Sequence, residues 1–137
     1  MRKVHGMYLV VLLLVIAGIH FGAVAVRHYD SGKVWIDIPL HALGGMFFAL
    51  LFLWAAGNTF PMRSVRERFV VSMAIIGAAV IGSVLWEVFE FALLTLAPSL
   101  AQTAKWYSLR VSDVLSDLFA GLVGGMIAAS LAVRWQR

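Results

Sequence analysis

The sequence predicts an all-α fold, a polytopic membrane bundle of four transmembrane helices with both termini cytoplasmic. Three observations carry this. Of its 137 residues 62% are hydrophobic and only 13% charged, against about 45–50% and about 25% in soluble domains. The apolar residues gather into four runs, each long enough to cross a hydrocarbon layer of about 30 Å. The cationic residues cluster at one set of run ends. No linker, low-complexity tract or internal repeat divides the chain, so residues 1–137 read as one domain.

The first span is Met7–Val26. Arg2 and Lys3 ahead of it, with Ala23-Val24-Ala25 near its end, also fit a secretory signal with its cleavage site. The apolar run exceeds the usual core of a signal peptide, which favours a retained helix. Cleavage would leave the other spans unchanged. The second span is Ile38–Gly57, with Asp37 placed to cap it and Pro39 tolerated in its first turn. The third, Phe69–Ala97, is longer than a bilayer needs, so it tilts or protrudes, and Pro98 marks its end. The fourth is Val111–Val133.

Four spans put both termini on one side. Arg2, Lys3, Arg63, Arg66, Arg68, Arg134 and Arg137 then share that side, while Arg27, Lys33, Lys105 and Arg110 share the other. The excess assigns the first side to the cytoplasm. Localisation in a bacterial cytoplasmic (inner) membrane follows as the expectation.

Against this apolar background the acids stand out, because an ionisable side chain within a bilayer marks a functional site by default. Asp37 and His41 open the second span at its outer end. A rise of about 1.5 Å per residue carries the third helix roughly 28 Å from Arg68 to Glu87, so Glu87 and Glu90 lie at the outer level too. Asp113 and Asp117 occupy the first two turns of the fourth span. Positions four apart share a helix face. Three stripes result: Asp37, His41, Gly45, Ala49; then Ala79, Ser83, Glu87, with Glu90 one turn on; then Asp113, Asp117, Gly121, Gly125, Ala129. Their small residues are those that let membrane helices approach closely. The acids continue the packing faces into a polar cleft between helices.

The chemistry follows from the donors. Cysteine is absent, which excludes disulfides and thiolate metal sites. His41 with Asp37, Glu87, Glu90, Asp113 and Asp117 suits a hard or borderline divalent cation: Mg²⁺, Mn²⁺, Ca²⁺ or Zn²⁺. Glu87, Glu90 and Asp117 are the candidate catalytic carboxylates, because neighbouring carboxyls form general acid/base pairs. Arg110 is the candidate for binding a phosphate or carboxylate of a substrate. No P-loop, nucleophile elbow or His-Glu-x-x-His motif is present, and no basic–aromatic pattern suggests nucleic acid.

Plainer readings compete. Asp37 serves as an N-cap alone, and His41 as a hydrogen-bonded residue at a helix end. Asp113 caps or sits at the wet interface, and Arg110 and Lys105 anchor there. His20 bonds a neighbouring helix. Trp35, Trp86, Trp106, Tyr107 and Tyr29 make an aromatic belt. The acids pair with His41 and Arg110 to fix helix register.

Three motifs resemble the VanZ-like family of small membrane proteins, and more closely its YjdF-type relatives, over about residues 35–133. They are Asp37-Ile-Pro-Leu-His41 followed by Gly44-Gly45; Trp86-Glu87-Val-Phe-Glu90; and Arg110-x-x-Asp113-x-x-x-Asp117 with Gly121 and Gly124-Gly125 behind it. VanZ proteins proper more often carry Gln at the position of Glu90 and Asn at that of Asp117. That departure favours the YjdF-type branch and weakens transfer of the glycopeptide-resistance role linked to VanZ. The resemblance implies a bacterial inner-membrane protein.

Three functions fit these readings. One is a metal-assisted enzyme acting on lipid or lipid-linked head groups at the outer leaflet, with membrane lipids as partners. The others are a carrier of cations or protons, and a structural protein in a helix-mediated oligomer or membrane complex. Against a carrier, no polar residue continues the site along Ala49, Gly125 or Ala129. A reporter fused within the 58–67 loop is expected to be active only in its cytoplasmic form. Activity of the exported form would place the acids at the cytoplasmic leaflet instead.

Overall fold

Each of the four apolar runs folds as a helix in the computed structural model, which describes residues 4–26, 35–57, 62–103 and 110–135. The cations Arg2, Lys3, Arg27, Lys33, Lys105 and Arg137 and the aromatics Tyr29, Trp106 and Tyr107 lie outside the described residues. The helices are α1 (Gly6–Ala25), α2 (Asp37–Ala56), α3 (Val65–Leu96) and α5 (Val111–Trp135), with a short α4 (Pro98–Thr103) after α3. The four long ones have the length and apolarity to cross a membrane, so the molecule is an all-helical, multi-pass membrane protein.

Three boundaries differ from expectation for local reasons. Helix α3 starts at Val65 rather than Phe69 because a capping box sets its entry. Glu67 N–H donates to Ser64 Oγ (3.1 Å), and Ser64 N–H donates back to Glu67 Oε2 (2.9 Å). The helix reaches about 48 Å at 1.5 Å per residue, longer than the hydrocarbon layer. Pro98 does not simply end the chain's helical path; it opens α4, where a missing N–H costs nothing. Asp37 is not the cap of α2: Ile36 holds that position, and Asp37 is the first helical residue, its carboxylate turned toward His41. At the other end of α2, Gly57 takes a positive φ of 55°, where a side chain would be strained.

Helices α2, α3 and α5 pack against one another, α1 packs against α2, and α4 against α3. Toward one end the core is Leu53, Met62, Val71, Ile75, Ala128, Ala129 and Ala132, with Val4 and Val133 packed on it. Tyr8 and Trp135 meet there at 6.4 Å between ring centroids. The start of α1, the end of α2, the start of α3 and the end of α5 therefore share one end of the bundle. The acids of α2, α3 and α5 are at the other.

What holds the three central helices so close is the near absence of side chains on α5. Its buried face is Ala120, Gly121, Gly124, Gly125, Ala128, Ala129 and Ala132. A Cβ on Gly45 of α2 would run into the backbone of Gly121, and one on Gly124 into the backbone carbonyl of Ala42. A Cβ on Gly121 would run into Ser83 Oγ of α3. Lipid tails are as apolar as leucine, so such helices associate by close van der Waals packing rather than by hydrophobic burial. Large apolar side chains point outward instead, among them Leu14, Phe21, Ile81, Leu85 and Phe119.

Gly45→Ala and Gly121→Ala are expected to lower the thermal midpoint of detergent-solubilised protein by roughly 3 °C or more, since overpacking costs about 1–3 kcal/mol. Gly18→Ala is the control: nothing lies within 4 Å of a Cβ there, and the midpoint should not fall.

Candidate functional site

One turn beyond the Gly45–Ser83–Gly121 crossing, each of the three helices presents a polar side chain to the same point. Position 41 on α2 follows from Gly45, position 87 on α3 from Ser83, and position 117 on α5 from Gly121. His41 stands at the centre. Its Nε2 is 3.6 Å from Asp37 Oδ1 and 3.8 Å from Asp117 Oδ2, and its Nδ1 is 3.7 Å from Glu87 Oε1. The His41 and Asp117 side chains are each only 9% exposed and that of Glu87 13%, while Asp37 is 42% exposed. The cluster is closed on the bundle side and opens past Asp37.

Glu90, one turn farther along α3, is tied by its neighbour: Trp86 Nε1 donates to Glu90 Oε1 at 3.0 Å. Trp86 therefore does more than line an aromatic belt. Its spacing of four from Glu90 was the signal for that bond. Glu90 also comes within ligand spacing of His41 and Glu87.

Of the residues singled out in the sequence, Asp37, His41 and Asp117 form one group whose ligand atoms lie within 4.8 Å of one another, and His41, Glu87 and Glu90 form a second. Asp113 belongs to neither. It sits one turn above Asp117, within electrostatic reach of Asp37 and Asp117. Arg110 is exposed at the start of α5, where its carbonyl accepts from the N–H groups of Asp113 and Val114. His20 of α1, expected to bond a neighbouring helix, interacts electrostatically with Asp37 across the α1–α2 contact.

The separations around His41 bear on what the cluster holds. At 3.6–3.8 Å they are too long for hydrogen bonds. They approach the spacing of two ligands on one cation, since bonds of about 2.0–2.2 Å at tetrahedral angles put ligand atoms roughly 3.3–3.6 Å apart. Glu87 Oε1 is buried with no hydrogen-bond partner, and buried charges normally pair or coordinate metal. An imidazole with carboxylates and no thiolate is the donor set of Zn²⁺, Mn²⁺ or another hard to borderline divalent ion. On these grounds the residues fit a divalent cation.

Toward the opposite end the buried packing among the described residues is apolar: Ala49, Ile75 and Ala79 are fully buried, with Ala128 and Ala129 beside them.

A family model described as "Predicted membrane protein (DUF2238)" matches residues 3–137. No curated protein and no solved structure matches the chain.

Proposed function

We propose that this chain, which belongs to the DUF2238 family of predicted membrane proteins, is a metal-assisted enzyme of the bacterial inner membrane. Its substrates are lipid or lipid-linked head groups at the outer leaflet. The observation that carries the reading is the convergence on His41 of carboxylates from three helices, at ligand spacing and at one end of the bundle. A purely structural cluster would be expected to close its charges with hydrogen bonds. Here the separations are too long, and one buried carboxylate oxygen has no hydrogen-bond partner.

A divalent cation bound in this cluster would supply Lewis-acid polarisation of a phosphoryl or carbonyl oxygen. The chain's own groups do the rest. His41 and carboxylates around it would hold the ion and offset its charge in a medium that cannot solvate it. Glu90, fixed by the Trp86 indole, accepts a proton from an attacking water or hydroxyl and returns it to the leaving group. Arg110, exposed at the start of α5, meets the phosphate of a head group as a charge-assisted donor. Half-exposed Asp37 marks the side from which the head group enters. The apolar packing beyond the crossing argues for service from one leaflet and against conduction through the bundle.

The outer-leaflet placement rests on the cationic excess at the opposite end. The likeness to YjdF-type relatives is consistent with a site on these residues, because its three motifs contribute the groups gathered around His41.

Elemental analysis of the purified protein tests the metal. The wild type should carry a divalent cation at close to one per chain, and Glu87→Gln/Asp117→Asn should lose at least about nine-tenths of it. Equal content in both proteins, or none in either, would contradict the reading. Incubation with vesicles of bacterial phospholipid tests the activity. Mass spectrometry should show head-group products that vanish with a chelator and fall at least about 100-fold in Glu90→Gln, as for the loss of a general base.

A further inference from the structure

His41 takes part in two candidate cation groups, its Nε2 nearest Asp37 and Asp117 and its Nδ1 nearest Glu87, and a neutral imidazole offers only one lone pair to a metal. The other nitrogen carries the proton. Occupying one position therefore turns the carboxylates of the other into hydrogen-bond acceptors. Which side takes the ion decides whether Glu87 is a ligand or a support.

We infer that the ion sits on the Nε2 side, held by His41, Asp37 and Asp117, and that Glu87 is a positioning residue which accepts the His41 Nδ1–H. This rests on the metal reading above and deepens it. Three observations favour the Nε2 side. Two carboxylates on two different helices face Nε2, at 3.6 and 3.8 Å, whereas only Glu87 faces Nδ1 at comparable range. The second carboxylate of the Nδ1 group, Glu90, already spends Oε1 on the Trp86 indole. Asp37 is partly exposed, which gives the Nε2 position an open side for substrate; the Nδ1 position is fronted by the better-buried Glu87.

The assignment also accounts for the unpartnered Glu87 Oε1. A shift of the ring by about half an ångström brings Nδ1–H into hydrogen-bond range of that oxygen. Metal-bound histidines characteristically donate their second N–H to a carboxylate, which fixes tautomer and orientation. The two aspartates alone match the charge of one divalent cation in the coordination sphere. Glu90, grouped with Glu87 on the other side of the ring, is left outside the coordination sphere.

The wild-type protein can report directly. With ¹⁵N-histidine labelling and Zn²⁺ as the probe, long-range ¹H–¹⁵N spectra are expected to show His41 metal-bound at Nε2 and protonated at Nδ1. Zn²⁺ titration of variants gives the second readout. Asp117→Asn should abolish stoichiometric binding. Glu87→Ala should keep the stoichiometry while weakening affinity about 10–100-fold, and Glu87→Gln, which still offers an oxygen to Nδ1–H, should recover part of that loss. Glu90→Gln should change affinity less than about threefold. Zinc on Nδ1, or loss of stoichiometric binding in Glu87→Gln with retention in Asp117→Asn, overturns the assignment while leaving the metal reading intact. Absence of Zn²⁺ binding by the wild type overturns both.

Discussion

The site depends on how closely three backbones can approach within the membrane. Gly45, Gly121 and Gly124 let α2 and α5 cross with main chain against main chain, and Ser83 of α3 fills the space beside Gly121. One helical turn from this crossing, three side chains have little choice but to meet. A larger residue at the crossing would push the axes apart, and contacts of 3.6–3.8 Å one turn away would open. The glycines are thus part of the site although none carries a functional group. Membrane helices have no hydrophobic drive toward one another, so this closeness rests on packing that only small residues allow.

That constraint has an electrostatic consequence. It brings three carboxylates onto one imidazole in surroundings that screen charge poorly, with Asp113, Glu90 and His20 close by. Anionic charge held this densely needs a cation or a proton near it. The two sides of the ring are not equivalent, because Trp86 engages Glu90 on one side while Asp37 leaves the other partly open. A difference of one hydrogen bond and one exposed side chain separates the two sides.

Much of this arrangement was legible in the sequence. The four spans follow from apolar run length, and the common level of the acids follows from rise per residue. The stripes of four predicted the buried faces because every Cβ is tilted along a helix in the same sense: Gly45, Ala49, Ala79, Ser83, Asp117, Gly121, Gly125 and Ala129 are all buried. Spacing does not encode the rotation of one helix against another, so His41 could not be singled out as the centre, nor Asp113 as a neighbour rather than a member. The apolar count concealed the start of α3, which a hydrogen-bonded box fixes at Ser64 and Glu67. Apart from His20, helix α1 has no apolar stripe that tells one face from another, so nothing in its pattern says that it packs mainly on α2, or that Asp37 is the group His20 reaches.

The central claim is that the close crossing of α2, α3 and α5 builds one cation position at His41. Anomalous diffraction from crystals grown with Mn²⁺ or Zn²⁺ tests it most directly. The account predicts a single strong peak about 2.0–2.2 Å from a His41 ring nitrogen, bounded by carboxylate oxygens from more than one of the three helices. Metal peaks confined to surface residues, with His41 hydrogen-bonded directly to its carboxylates, would contradict it.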